Sequence, residues 1–346
     1  PGTIMNLPLP ALHWLRTYDR TWLRGDVVAG ITLAAYLLPA GLGDASLARL
    51  PPQAGLYACL FSGLVFWLFC SSRHTAITVT SAISLLIGAT LGDLAGGDVS
   101  RFSALAAATA LLVAALAFLA WLVKAGGIVN FISESVMTGF KCGVALFLAS
   151  TQLPKLFGMP GTHGDFWQNA AHFLRGLGET NPASLAVGGS ALAILVLGKI
   201  FLKNKPVALL VVVGGIVASS LLGLEDRGVK LLGAVPQGLP PLGLPAIAWA
   251  DLNTLLPLAI ACFLLGAVES AAIGRMFTAK HGGRLDANQE FLALAAANLA
   301  AGLGRGFPVS GGMSQSLVNE GGGARSPLAG ALAGCIILLA LVFFSH

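Results

Sequence analysis

Nine apolar runs, separated by short polar or basic breaks, fill most of this chain: residues 26–43, 55–69, 102–123, 135–153, 184–202, 206–222, 254–274, 287–303 and 327–344. A helix that crosses a bilayer needs about 20 mostly apolar residues, because hydrocarbon holds no water to serve an unpaired backbone N–H or C=O. Soluble domains carry roughly 25% charged residues. Here the charged share is 10% against 56% hydrophobic, too few charges to clothe a water-facing surface. The expectation is an all-α integral membrane protein.

The formal net charge of +5 would suit a nucleic-acid partner if the basic residues formed a stripe with interleaved aromatics. They do not. They cluster between the apolar runs as Arg16, Arg20 and Arg24, as Lys199, Lys203 and Lys205, and as Arg275, Lys280 and Arg284. Clusters of this kind mark cytoplasmic loops. With residues 1–24 placed in the cytoplasm, Asp93, Asp98, Asp165, Glu179, Glu225, Asp226 and Asp251 fall on the opposite side of a cell (inner) membrane. No nucleic acid is expected as a partner; the bilayer is. The five cysteines, Cys59, Cys70, Cys142, Cys262 and Cys335, mostly lie inside apolar runs and read as small buried hydrophobes. Two longer breaks, 158–182 and 225–251, read as extracytoplasmic loops. His163 and Asp165 in the first are too loosely spaced to suggest a metal site. No nucleophile–base pair, metal cluster or phosphate-binding loop points to an enzyme or a bound cofactor.

Two further stretches, 79–91 and 311–320, are too short or too polar for ordinary spans, and each follows a break. Arg73 to Thr78 aligns with Arg305 to Ser310, which sets Thr78 against Ser310, Ser84 against Ser316 and Leu85 against Leu317. Each stretch follows an apolar run introduced by Gln53 or Gln289. Interrupted segments at corresponding places in two halves point to a transporter binding site. A helix that begins at mid-membrane presents unpaired N–H groups and the positive end of its dipole, and two such ends facing each other hold an anion without a buried Lys or Arg. The expected donors are the amides of Val79, Thr80 and Ser81 and of Gly311, Gly312, Met313 and Ser314. The hydroxyls of Thr78, Thr80, Ser81, Ser310 and Ser314 would supplement them, and Gly311 and Gly312 would admit the ion to the backbone.

Glu269 sits within the apolar run 254–274. Ionisable residues inside a bilayer cost about 2.5–3.5 kcal/mol on insertion scales, so each one asks for a function. Burial and a nearby helix end pull its protonation in opposite senses, which would let it load and release a proton or hold sodium. Glu134 and Lys141 lie seven residues apart and share a helix face. Glu290, beside Gln289 at a run start, reads as structural.

At these residues the chain resembles the sulfate permease (SulP) family, including its mammalian solute-carrier branch. The resemblance runs from Leu38 and Pro39 to Gly55, Leu56 and Tyr57, then through Ser72, Arg73 and His74 and from Thr78 to Leu86. It resumes at Val268, Glu269 and Ser270, at Asn288, Gln289 and Glu290, at Asn298, from Phe307 to Ser310, and from Ser314 to Asn319. It implies an inverted-repeat transporter fold of the 7+7 type, with half-helices as its third and tenth elements. The implied layout is a cytoplasmic segment 1–24, a core domain 25–124 and 254–346, and part of a gate domain 125–253. It further implies transport of a small anion (sulfate, bicarbonate, chloride or a dicarboxylate), H+ or Na+ as coupling ion, and a homodimer.

Three departures from the family pattern bear on those expectations. The chain stops after its eleventh element, so the last gate spans and the family's cytoplasmic STAS domain are expected to be missing. Gln315 stands where the family often has Arg, leaving anion attraction to dipoles and hydroxyls. The family's Pro-Gln with a downstream aromatic stands here as Pro39-Ala40 and Asp44; Asp44 either repels the anion unless protonated, which points to proton-coupled uptake, or is an ordinary residue at a span end. The competing readings are a nucleobase:cation symporter of the same architecture and a truncated fragment that does not transport.

Overall fold

The computed structural model describes residues 9–127, 134–160, 166–202, 207–229, 238–282 and 285–343. His163 and Asp165 lie outside the described residues, as do the side chains of Glu134 and Lys141. The chain divides into two compact units, Pro1–Phe131 with Ala234–His346, and Ile132–Gly233.

The first unit holds α1 (Pro10–Arg16), α2 (Trp22–Leu47), α3 (Pro52–Phe69), β1 (Ile77–Thr78), α4 (Ser81–Ala95) and α5 (Val99–Leu122). The second contributes α6 (Glu134–Leu156), α7 (Phe166–Gly176), α8 (Pro182–Phe201) and α9 (Val207–Leu222). The first then resumes with α10 (Trp249–His281), α11 (Ala287–Leu303), β2 (Ser310–Gly311), α12 (Met313–Gly321) and α13 (Leu328–Phe343). Among the described residues, α2, α3, α5 and α10 are each long and apolar enough to cross a membrane alone. A bent pair, Phe166–Glu179 with Pro182–Gly198, would make a fifth span if counted as one. At 1.5 Å per residue, α4 spans about 22 Å and α12 about 14 Å, both short of a ~30 Å hydrocarbon core.

Short polar side chains set the helix starts. Asp98 accepts the amides of Ser100 (2.8 Å) and Arg101 (3.2 Å) at α5, and Asp286 accepts those of Asn288 and Gln289 (3.0 Å each) at α11. Asn181 caps α8 through Ala183 and Ser184. Pro52 opens α3 where no intrahelical donor is needed.

In the first unit α11 packs against α3 and α5, and α13 against α2 and α3. Leu33, Leu60, Ile83, Leu105, Leu294, Phe307 and Ile337 are fully buried there. Small residues let the backbones approach: a Cβ on Gly55 would collide with the carbonyl of Gly41, so α2 and α3 meet backbone to backbone. One expectation changes. The break 158–182 contains α7 and a 3-10 turn (Leu177–Glu179) rather than loop alone. Phe166, Ala170, Phe173 and Leu177 recur at helical spacing, and Phe173 stands edge-on to Phe157 of the chain after α6, at 5.0 Å.

Candidate functional site

The two short helices are joined at their beginnings. β1 and β2 pair antiparallel, with Ile77 opposite Gly311 and Thr78 opposite Ser310. Because the strands run in opposite senses, α4 and α12 depart in opposite directions from one buried centre, and their N-termini converge on it. The backbone ladder begins at the amide of Ser84 bonded to Thr80 C=O and at that of Ser316 bonded to Gly312 C=O, both 2.9 Å. The three amides ahead of each have no intrahelical acceptor, and neither N-cap, Thr80 or Gly312, supplies a side-chain cap. Two contacts tie the N-termini together: Thr80 Oγ1 and Ser310 Oγ lie 3.1 Å apart, and Gln315 Nε2 donates to Val79 C=O at 3.3 Å.

The surrounding helices clamp this centre. Asn298 of α11 accepts the Val309 N–H and donates to Val309 C=O, each at 3.0 Å, fixing the approach to β2 from both sides. Ser270 Oγ of α10 accepts the Gly311 N–H at 2.9 Å. A Cβ on Gly311 would stand 2.8 Å from Ser270 Cα, a backbone atom that cannot move aside, so only glycine fits. Ser316 Oγ accepts the Ala76 N–H at 2.9 Å, and Gly312 N–H donates to Ala76 C=O at 3.2 Å. On the other approach, Glu290 Oε1 accepts both the Ser71 and Ser72 amides (2.8 and 2.9 Å) and Gln289 Nε2 donates to Phe69 C=O at 2.7 Å. Glu290 thus organises the linker that leads into β1.

A carboxylate meets a hydroxyl at the start of each half. Asp44 of α2, 6% exposed, accepts from Ser81 Oγ at 2.7 Å. Glu269 of α10, half-buried, accepts from Ser310 Oγ at 2.8 Å. Ser310 therefore stands between Glu269 and Thr80, a three-group hydroxyl–carboxylate chain that crosses from one half-helix to the other.

Of the residues singled out from sequence, Thr80, Ser81, Ser310, Gln315, Asp44 and Glu269 converge here. Met313 and Ser314 occupy the first turn of α12, half-buried and exposed respectively. The others are engaged differently from expectation. The Thr78 hydroxyl donates to Val79 C=O at 2.9 Å, so its hydrogen is directed at the chain. The amides of Gly311 and Gly312 are already bonded, as described, which leaves the donors of this half to begin at Met313. Two residues escaped the sequence reading. Tyr36 lies within hydrogen-bonding reach of the Ser314 side chain, and its position one helical turn before Pro39 gave no polar pattern to follow. Asp26, fully buried, accepts the amides of Arg325 (2.7 Å) and Ser326 (3.0 Å), the Ser326 hydroxyl (2.6 Å) and the Tyr18 hydroxyl (2.9 Å).

A family model, the sulfate permease family, matches residues 23–346. The "Probable sulfate transporter" of Mycobacterium tuberculosis (strain ATCC 25618 / H37Rv) is 32% identical over 336 residues, covering 97% of this chain and 60% of that relative. The chain thus spans about three fifths of its relative's length. Murine Solute Carrier 26 family member A9, an anion transporter solved in an inward-facing state, superposes with a TM-score of 0.88 at 22% identity. That match covers 97% of this chain and 59% of the other. The transmembrane domain of the cyanobacterial bicarbonate transporter BicA gives 0.83 at 21% identity, over 94% and 84% of the two chains. At such identities the two superpositions establish the inverted-repeat membrane fold.

Proposed function

The chain belongs to the sulfate permease family, whose members are transporters rather than enzymes, and from that membership we propose that it is the transport core of a secondary active carrier of small anions. One observation carries the reading: two uncapped half-helix N-termini converge on a buried centre. Their unpartnered amides and aligned dipoles attract negative charge without a fixed cation. Sulfate, bicarbonate, chloride and dicarboxylates all suit such donors, which select by size and hydration.

The hydroxyl chain supplies a coupling device. With Glu269 ionised, Ser310 donates to its carboxylate, and the Thr80 hydroxyl hydrogen turns to Ser310 Oγ. A proton arriving on Glu269 Oε2 reverses the chain: Glu269 donates to Ser310, Ser310 donates to Thr80 Oγ1, and the Thr80 hydrogen is released toward the anion. Loading a proton thus adds one donor and removes one negative charge from the site. Asp44 acts in parallel on the other half, since its protonation removes the charge facing Ser81. Proton-coupled uptake follows, with Na+ at the same carboxylates as the alternative coupling ion. The unit carrying both half-helices moves against the rest of the protein to expose the site on either side, with the basic N-terminal segment in the cytoplasm.

The test is uptake of labelled sulfate, bicarbonate and fumarate into proteoliposomes, with and without an inward proton gradient. At least one anion should accumulate faster with the gradient. Absence of uptake of all three, together with uracil binding, would replace this reading by a nucleobase carrier.

A further inference from the structure

A polar cavity of about 680 Å3 lies apart from the paired half-helix N-termini, where the start of α2, the linker after α3 and the ends of α10 and α12 meet. Its volume is that of a small-molecule pocket. Trp14, Trp22, Arg73, His74, His281 and Arg325 line it, and none of them belongs to the half-helix site.

The charges around this cavity do not cancel. Among the described residues its one carboxylate, Glu320, is answered by Lys280 Nζ at 2.6 Å and His281 Nε2 at 2.7 Å. Arg73 and Arg325 have no carboxylate within ion-pair distance among the described residues. The Arg73 guanidinium lies 4.9 and 5.6 Å from the ring centres of Trp14 and Trp22, where the indoles orient it. Arg325 is positioned by its backbone N–H, which Asp26 accepts at 2.7 Å, so its side chain is the part left to reach a ligand.

We infer that this cavity binds a phosphate group, as hydrogen phosphate or a phosphomonoester, gripped by Arg73 and Arg325. Guanidinium forks match tetrahedral oxyanions bidentately. His74 separates phosphate from sulfate. Burial and the His281 ring stacked on it at 4.5 Å pull its pKa down to about 4, so the ring is neutral at physiological pH. One of its nitrogens engages the Ala324 backbone. The other is an acceptor, which suits the P–O–H of hydrogen phosphate and has no counterpart in sulfate. The same group reaches the cavity either from solution or as the headgroup of phosphatidic acid, since interfacial Trp and basic pockets favour anionic lipid. This inference stands independently of the transport reading.

The test measures thermal unfolding of the protein in phosphatidylcholine nanodiscs, titrated with inorganic phosphate, beside nanodiscs containing phosphatidic acid. Phosphate, phosphatidic acid or both should raise the midpoint by mass action, and which of them does so identifies the source. Arg73→Gln and Arg325→Gln should each weaken the response about tenfold, the scale of one charge-assisted hydrogen bond. His74→Phe should abolish the preference for phosphate over sulfate. Unliganded midpoints of the variants close to that of the parent would establish that each folds. No stabilisation by either source, or a full response in the Arg73→Gln/Arg325→Gln double variant, would overturn the assignment.

Discussion

Glu269→Gln should lower proton-gradient-driven anion uptake by about tenfold to a hundredfold, the equivalent of one hydrogen bond to a charged group at ~1.5–3 kcal/mol. The amide still accepts from Ser310 Oγ, so packing and the 2.8 Å contact should survive. What it cannot do is change charge with pH. The chain from Glu269 through Ser310 to Thr80 is then fixed in the sense of the ionised state, with the Thr80 hydrogen held toward Ser310. Uptake in the variant should therefore respond to the gradient far less than in the parent, the remaining response resting on Asp44. Ser310→Ala breaks the chain at its middle and should weaken the gradient response with Glu269 intact, leaving only the loss of charge at the two carboxylates. Gradient stimulation undiminished in both variants would rule out this route of coupling.

Asp26→Ala should be the most destabilising single change outside the site, by about 3–5 kcal/mol, because it strands a group of buried donors at once. Its carboxylate receives two backbone amides and two hydroxyls, from Arg325, Ser326 and Tyr18. Those bonds pin the start of α2 to the turn between α12 and α13, and hence to the far end of the half-helix that carries Ser314 and Gln315. The unfolding midpoint of the purified protein in detergent should fall by several degrees, while Asp26→Asn, which keeps one acceptor oxygen, should fall less. Equal midpoints for parent and Asp26→Ala would show that Arg325 and Ser326 find other acceptors.

The sequence displayed the architecture because bilayer physics leaves so few options. Long apolar runs become helices, and the 287–303 run coincides with α11 because Asp286 supplies a cap in front of it. The half-helices were legible from breaks at corresponding places, and the β1–β2 pairing joins two residues that occupy matching positions in those breaks, Thr78 and Ser310. Legibility ended where a role depends on direction or on remote partners. Thr78 carries a hydroxyl like Thr80, yet its hydrogen turns to its own chain. Gly311 reads as access for an ion, while its place is set by Ser270 on a helix 41 residues earlier. Asp26 looks like a residue at the edge of a span, and its partners Arg325 and Ser326 are 299 and 300 residues away. α7 is hidden in the sequence because an 11-residue amphipathic helix carries no run of about 20 apolar residues.

Anomalous diffraction from crystals of the protein soaked in selenate, a heavy stand-in for sulfate, tests the central claim most directly. A peak should lie between the N-termini of α4 and α12, with oxygens about 3 Å from the amides of Ser81 to Ile83 and Met313 to Gln315. A peak elsewhere, with none between those two helix ends, would contradict the assignment of the paired half-helices as the anion site.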